Sequence, residues 1–475
     1  MVFSSYIFIL AFLPIVIIGY YLLSLLKKSS YQRMFLIGAS LFFYGYYNVK
    51  YLMIILVSMV LNYGLALMIQ RSPKGKDKVF LTMGVLSNVA LIGYYKYYDF
   101  FVENINAVFD SDFNLKHILL PLGISFFTFQ QLSFLVSVYK REEKVGRLRD
   151  YCLFVTFFPQ LVAGPIVLYS EMIPQFKDEA RRKFNADNFA AGIYLFAMGV
   201  FKKAVISDTL AGFVANGFGM TNLGLAVGWM VSLSYTLQIY FDFSGYSDMA
   251  VGLGKMFNID IPFNFRSPYK SKSISEFWRR WHITLGRALG TYVYKPLGGN
   301  RKGMVRTCIN LFLTFFVSGL WHGAAWTFVL WGVLHGVFSI IERVCKKTIE
   351  KIPTMLRVFG TFLVVNALWV LFRAESFAQA LEVYKGMLSF RTLDFAQLQT
   401  VVGFEADVNL PAIMDYGYIV GLVGLLLVVV FRCKNSAEYL EKFKASKKTL
   451  VAAVVLFSTA ILCLSRESVF IYFNF

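Results

Sequence analysis

Long apolar stretches dominate the chain, and several approach the roughly 20 residues that a helix needs to cross a lipid bilayer. The clearest are residues 6–26, 51–70, 79–98, 118–139, 229–243 and 451–464. Of the 475 residues, 57% are hydrophobic and 16% are charged, which is not the balance of a soluble domain. The sequence therefore predicts an all-α integral membrane protein with about eleven to thirteen helical segments.

The basic residues lie between the apolar stretches rather than in a separate domain. The formal net charge is +19, and the excess collects in clusters, as in cytoplasmic loops under the positive-inside rule. The clusters are residues 27–33, 71–78, 140–149, 266–306, 343–357 and 432–448. Residues 99–112 are acidic and residues 373–415 are mixed, so we expect both segments, and both chain ends, to face outward. The pattern favours membrane lipids as surroundings and argues against a nucleic-acid partner.

Glycine and proline interrupt the apolar pattern at residues 121–129, 158–166 and 241–249. A broken helix in a membrane frees backbone groups that protein or water must satisfy. We therefore expect re-entrant or broken helices that enclose a central funnel, within one membrane-embedded domain of residues 1–475. Its parts are N-terminal helices at 1–115, a core at 116–372, and C-terminal helices with a terminal motif at 373–475.

Residues 274–289 have the periodicity of an amphipathic helix at the inner membrane interface. The apolar stripe contains Ile274, Phe277, Trp278, Trp281, Leu285 and Leu289. Arg279 and Arg280 lie on the opposite face, toward lipid headgroups or a solute, and His282 falls on the border of the stripe. Residues 264–306 contain ten Lys or Arg and one acid, Glu276, so an anionic ligand would be attracted there.

His322 lies in the turn of an apolar hairpin formed by residues 308–320 and 324–341. The first arm spans about 21 Å at 1.5 Å per residue, which places the imidazole inside a hydrocarbon core of about 30 Å. Burial favours the neutral imidazole, which can act as a general base on a hydroxyl group. The alternative is a histidine that only hydrogen-bonds between helices, and that is the role expected for His335.

Other polar residues lie in or beside apolar segments and could line the same cavity. They are Gln160, Asp242, Ser244, Tyr246 and Asn310. For Asp242, side-chain hydrogen bonds that stabilise a broken helix compete with a proton-handling role. The five cysteines are scattered, and the sequence has no GxSxG, Walker A, HExxH or CxxC motif. We therefore predict no bound metal and no permanently bound cofactor.

From about residue 120 to its end, the sequence resembles the membrane-bound O-acyltransferases, and among them the bacterial alginate O-acetyltransferase type of membrane subunit. The resemblance is carried by FPQLVAGPI, YFDFSGYSDMAVGLG, FWRRWHITL, PLGGNR, SGLWHGAAWTFVLWG, WVLFRAESFAQA and FIYFNF. It implies that His322 is catalytic and that His282 is a second site residue. Trp278, Arg279, Arg280, Trp281, Asn310 and Trp321 are the accompanying candidates for substrate binding. Gly290 and Thr291 replace an Arg-Asp pair of the family pattern, which leaves the donor contacts open.

The resemblance also implies a function at a bacterial cytoplasmic membrane. An acyl group, acetyl or D-alanyl, would pass from acetyl-CoA or an acyl carrier protein to a hydroxyl group on the outer side, for O-acylation of a cell-surface or exopolysaccharide. In the terminal FIYFNF, Tyr472 would receive the acyl group, unless it is only an aromatic interface anchor. An extracytoplasmic SGNH-like acetyltransferase is the expected partner. A transporter or flippase, and a noncatalytic scaffold, are the competing functions.

Overall fold

The computed structural model describes residues 1–26, 28–46, 48–390, 412–464 and 470–471, and these ranges contain helices but no strand. In chain order the helices are α1 (Phe8–Ser24), α2 (Ser30–Gly45), α3 (Val49–Arg71), α4 (Lys76–Phe109), α5 (Ile124–Tyr139), α6 (Leu148–Thr156), α7 (Tyr169–Lys177), α8 (Ala186–Gly219), α9 (Leu225–Met256), α10 (Ile274–Arg280), α11 (Ile283–Leu289), α12 (Gly303–His322), α13 (Trp326–Val344), α14 (Thr354–Arg373), α15 (Phe377–Met387), α16 (Ala412–Arg432), α17 (Ser436–Glu441) and α18 (Lys447–Cys463).

Six of these helices are long and apolar enough to cross a membrane, namely α3, α4, α8, α12, α13 and α14. The all-α membrane class is therefore confirmed. The helical segments are more numerous than expected, because connections between the long helices form short helices of their own, such as α6 and α17. Helix α4 also continues to Phe109, through most of a segment expected to be an outer loop, and ends where Asp110 adopts a left-handed conformation.

Only some of the predicted helix breaks are present. The break at residues 158–166 is confirmed, because one helical turn at Phe158–Leu161 leads into irregular chain. The helix predicted from residue 118 begins at Ile124, directly after Gly123, whose φ of 71° is left-handed. The prediction of a break at residues 241–249 is wrong, since α9 continues through these residues. These nine residues are all buried, and helical geometry satisfies their backbone groups internally.

The prediction of a single amphipathic helix at residues 274–289 is also wrong, because this segment contains two helices, α10 and α11. Trp281 and His282 separate α10 from α11, and His282 has a φ of 45°. The backbone N–H of Ile283 donates to the carbonyl oxygen of Asn264 over 3.1 Å, and the side chain of Asn264 accepts from Thr284. These long-range hydrogen bonds compete with the helical ones, and the periodicity of the sequence does not contain them.

The chain forms two compact units. The first unit consists of Met1–Val200, Tyr246–Phe263 and Phe443–Leu464. The second unit consists of Phe201–Gly245, Asn264–Lys442 and Ser465–Phe475. The second unit therefore contains His282, His322 and His335, whereas α8 and α9 each contribute residues to both units.

Within the second unit, α12 and α13 pack with their backbones in close contact. A β-carbon built on Gly319 would lie 2.5 Å from the carbonyl oxygen of Phe328. One built on Gly332 would lie 2.9 Å from the Cα of Gly319 and would also collide with the carbonyl oxygen of Phe315. In a membrane, such small residues allow the van der Waals contact that holds helices together. The predicted hairpin is confirmed, with His322 as the last residue of its first arm.

This contact predicts a sharp difference between two glycine substitutions. We expect Gly332→Ala to lower the free energy of unfolding by about 1–3 kcal/mol, because the added methyl group has no space. Gly360 lies inside α14, where a β-carbon would meet nothing within 4 Å. Gly360→Ala should therefore be neutral or stabilise by about 0.5–1 kcal/mol. Thermal unfolding of the purified full chain measures both, and equal midpoints for the two variants would contradict this packing.

Candidate active site

His322 ends α12 in a pocket of aromatic rings. The helix ends there because the next residue, Gly323, has an extended backbone. The imidazole is 2% exposed. Its ring centroid lies 5.0 Å from that of Trp331 and 5.2 Å from that of Phe372, both in edge-on geometry. The predicted burial of this histidine is therefore present in the fold.

His282 is fully buried and belongs to the same aromatic cluster. Its ring centroid lies 4.7 Å from that of Phe243, a residue of α9. The indole of Trp321 contacts both histidines, with centroid distances of 5.9 Å to His282 and 4.9 Å to His322. The structure thus brings the two predicted histidines together around one tryptophan, although they are 40 positions apart in sequence.

Trp278 and Trp281, the two tryptophans of FWRRWHITL, face the interior of the second unit. Trp281 is fully buried, and its ring centroid lies 4.9 Å from that of Trp369. The indole N–H of Trp278 donates to Nδ1 of His335 over 3.2 Å, which leaves the ring hydrogen of neutral His335 on Nε2. His335, expected to be structural, is therefore hydrogen-bonded to a candidate substrate-binding residue. Arg279 is exposed, and Arg280 pairs with Glu276 at 2.6 Å.

Asn310 lies on the same helix as His322 but far from it. Twelve residues separate the two, which corresponds to about 18 Å along the helix axis. Its side-chain N–H donates to the carbonyl oxygen of Gly299 over 2.9 Å. Gly298 and Gly299 have φ values of 111° and 56°, so this hydrogen bond holds a turn that only glycine adopts easily. The contact assigns Asn310 to the glycine turn rather than to the surroundings of His322.

Asp242 takes part in a buried cluster of charges. The ammonium group of Lys203 lies 2.7 Å from Oδ1 of Asp242 and 2.8 Å from a carboxylate oxygen of Asp208. The backbone N–H of Ile471 donates to Oδ2 of Asp242 over 2.9 Å. Sequence reasoning missed Lys203, although a lysine within an apolar helix already indicates a buried partner of opposite charge. Ser244, two residues after Asp242, is buried in the same unit.

Two candidates belong to the first unit. The ring of Tyr246 stacks on Phe3 with a centroid distance of 4.9 Å. The side-chain N–H of Gln160 donates to the carbonyl oxygen of Phe154 over 2.8 Å. Tyr246 therefore packs against another ring, and Gln160 hydrogen-bonds to the backbone, within that unit. Tyr472 lies outside the described residues.

The rings around His322 include residues that sequence reasoning did not select. Trp331, Trp369 and Phe372 contact one another at centroid distances between 5.0 and 5.8 Å. Their only signal was aromatic content, which in a membrane chain is common at interfaces and in cores. Among the residues that the structure describes, no group of three or more His, Cys, Asp or Glu could hold a metal ion.

Comparison with known proteins gives matches over the whole chain. Residues 142–381 match the profile of the membrane-bound O-acyltransferase family. The chain is 41% identical to the peptidoglycan O-acetyltransferase of Helicobacter pylori, over 100% of this chain and 98% of that protein. It is 37% identical to the probable alginate O-acetylase of Azotobacter vinelandii, over 100% of both. The teichoic acid D-alanyltransferase of Bacillus subtilis is 29% identical over 48% of this chain and 60% of that protein.

Burial of His282 predicts a pH dependence of stability. His282 lies between α10 and α11, outside the six long helices, and burial lowers its pKa to about 3. The unfolded chain takes up this proton near pH 6.5, so the free energy of unfolding should fall as the pH drops from about 6.5 toward 3, by up to about 1.4 kcal/mol per unit. Thermal unfolding of wild type and His282→Gln from pH 7.5 to 4.5 tests this. The variant should lose part of the slope, and identical slopes would contradict it.

Proposed function

The chain belongs to the membrane-bound O-acyltransferase family and is a multi-pass membrane acyltransferase, and on this premise we propose that it O-acetylates an extracytoplasmic polysaccharide. Acetyl is the favoured acyl group because the two relatives matched along their whole length are named for acetyl transfer. The observation that carries the proposal is the burial of His282 and His322 around the indole of Trp321.

His322 is the proposed general base. A neutral imidazole nitrogen can accept the proton of a hydroxyl group. The rings of Trp331 and Phe372 hold the imidazole at a fixed position at the end of α12, and preorganisation of this kind is what proton transfer within a site requires. His282, which also contacts the indole of Trp321, is proposed to contact the reacting groups as a second site residue.

The proposed reaction has two transfers that involve Tyr472, and a third that takes place on a partner. In the first, His322 takes the proton of the Tyr472 hydroxyl while the phenolic oxygen attacks the thioester carbonyl carbon. The carbon–sulfur bond breaks, and the proton leaves with the thiolate as a free thiol, which restores neutral His322. In the second, a hydroxyl group of an SGNH-like extracytoplasmic partner attacks the tyrosine ester, and its proton goes to the phenolate that leaves, which regenerates the phenol. In the third, the partner passes the acetyl group to a hydroxyl group of the polysaccharide and recovers its own hydroxyl proton from it.

The proposed donor is acetyl-CoA or an acetylated carrier protein, which docks on the basic segment 264–306. Eight of the ten cations of this segment are exposed, namely Arg266, Lys272, Arg279, Arg287, Lys295, Arg301, Lys302 and Arg306. Exposed cations attract the phosphate groups of either donor and raise its local concentration. We propose that this segment faces the cytoplasm, with the protein in the cytoplasmic membrane, so that donor and acceptor approach from opposite sides.

The first test concerns the base. Wild type, His322→Gln and His335→Gln are reconstituted with labelled acetyl-CoA, an acetylated carrier protein, or a D-alanyl carrier protein. We expect His322→Gln to lose about 100-fold or more in acyl transfer, because general-base catalysis typically contributes that much. His335→Gln serves as the matched buried control and should keep most of the activity. Full transfer by a folded His322→Gln protein would exclude His322 as the base.

The second test concerns the tyrosine. Wild-type protein incubated with labelled donor in the absence of a partner should carry one acyl group on its C-terminal peptide, detected by mass spectrometry. Tyr472→Phe removes the hydroxyl group and should abolish the label, because no phenolic oxygen remains to attack the thioester. An unlabelled wild-type peptide, or an equally labelled Tyr472→Phe peptide, would exclude the tyrosine ester. A label only with the D-alanyl donor would change the acyl group of the proposal.

A further inference from the structure

The two described residues at the end of the chain, Phe470 and Ile471, contact α9 of the second unit. Phe470 is 4% exposed, and its ring centroid lies 6.0 Å from that of Phe243. The next residue donates its backbone N–H to the carboxylate of Asp242 over 2.9 Å. The chain end is thus held by one aromatic contact and one hydrogen bond to a charged group, both on α9.

Asp242 is suited to this contact because its charge is fixed on the opposite side. Its Oδ1 pairs with Lys203 at 2.7 Å, and the Oδ2 atom accepts from Ile471. The Asp242 carboxylate is fully buried, as is nearly all of Lys203. A buried carboxylate needs both a counter-charge and hydrogen-bond donors, and hydrogen bonds to an ionised acceptor are roughly twice as strong as neutral ones.

Asp208 is the second carboxylate that faces Lys203. Lys203 lies between Asp208 and Asp242, and Asp242 accepts from the backbone N–H of Ile471. In addition, Phe243, which contacts Phe470, also contacts His282 at a centroid distance of 4.7 Å. Neighbouring residues of α9 therefore contact the chain end and a site histidine.

We infer that Asp242, held in place by Lys203, is the docking residue for the backbone of Ile471 in this same chain, next to Phe243, the ring that also contacts His282. The inference rests on the proposed function for its catalytic meaning, since Tyr472 is covalently joined to Ile471. The docking itself depends only on the contacts of Phe470 and Ile471. Asp242 is accordingly a positioning residue and does not touch the reacting atoms.

The test compares matched variants of the full chain reconstituted in lipid nanodiscs. Ile471→Pro removes the backbone N–H without changing Asp242 or Lys203, whereas Ile471→Val keeps it. Asp242→Asn removes the charge at the acceptor. If Asp242→Asn does not fold, Ile471→Pro still decides the outcome, because it leaves the buried charges of α8 and α9 unchanged and only four residues of the sequence follow it.

The first readout is the rate at which a carboxypeptidase removes residues 472–475, followed by intact-protein mass. We expect Ile471→Pro and Asp242→Asn to be trimmed about tenfold faster than wild type, because a charge-assisted hydrogen bond is lost or weakened. Ile471→Val keeps the backbone N–H and should stay within about twofold of wild type. Equal trimming of Ile471→Pro and Ile471→Val would overturn the inference.

The second readout separates positioning from a loss of structure. Ile471→Pro should slow acyl labelling of the C-terminal peptide while the KM for the thioester donor stays unchanged, because the proposed docking segment, residues 264–306, does not include the chain end. A raised KM together with slow labelling would indicate a general disturbance and would count against positioning. If wild type is not labelled but trimming still responds to Ile471→Pro, docking stands and the tyrosine step of the proposed function fails.

Discussion

The contact between α12 and α13 at Gly319 and Gly332 is the constraint on which the site depends. Because neither glycine has a β-carbon, the two backbones meet directly. As a result, the ring centroid of His322 at the end of α12 lies 5.0 Å from that of Trp331 on α13. Lipid chains are as apolar as leucine, so burial of apolar surface does little to drive helix association in a membrane. Close packing of complementary helix surfaces must hold α12 and α13 together instead, and the same packing gives the imidazole of His322 a defined environment.

Charged and polar groups in the second unit follow a second rule, which is that each needs a partner inside the protein. Lys203 lies between Asp208 and Asp242, and Trp278 donates to His335. Such pairs add little net stability compared with apolar packing, but removing one member leaves the other buried without compensation. They therefore join α8 to α9 and α10 to α13.

Hydropathy and basic clusters were sufficient to predict the helical membrane class, and the polar turn in an apolar hairpin was sufficient to select His322. The continuity of α9 and the division between α10 and α11 were not predictable. Glycine and serine occur both in breaks and in buried continuous helices, and the division at Trp281 depends on hydrogen bonds to the distant Asn264. Asn310 was selected as a buried amide within the hairpin, yet its partner is the turn at Gly299. Periodicity gives the face of a helix, whereas the partner on that face is a property of the tertiary fold.

The left-handed backbone of His282 has a consequence for how sequences of this kind diverge. For a residue with a β-carbon, this conformation costs of the order of 1 kcal/mol, a cost that glycine avoids and asparagine reduces. The fold accepts this cost because the buried imidazole fills the space between Phe243 and Trp321, and a glycine there would relieve the backbone while leaving a cavity that costs more. The shape of the turn and the bulk of its side chain therefore set opposite demands on this position, and a descendant could adopt the smaller residue only if neighbouring rings moved in to fill the space.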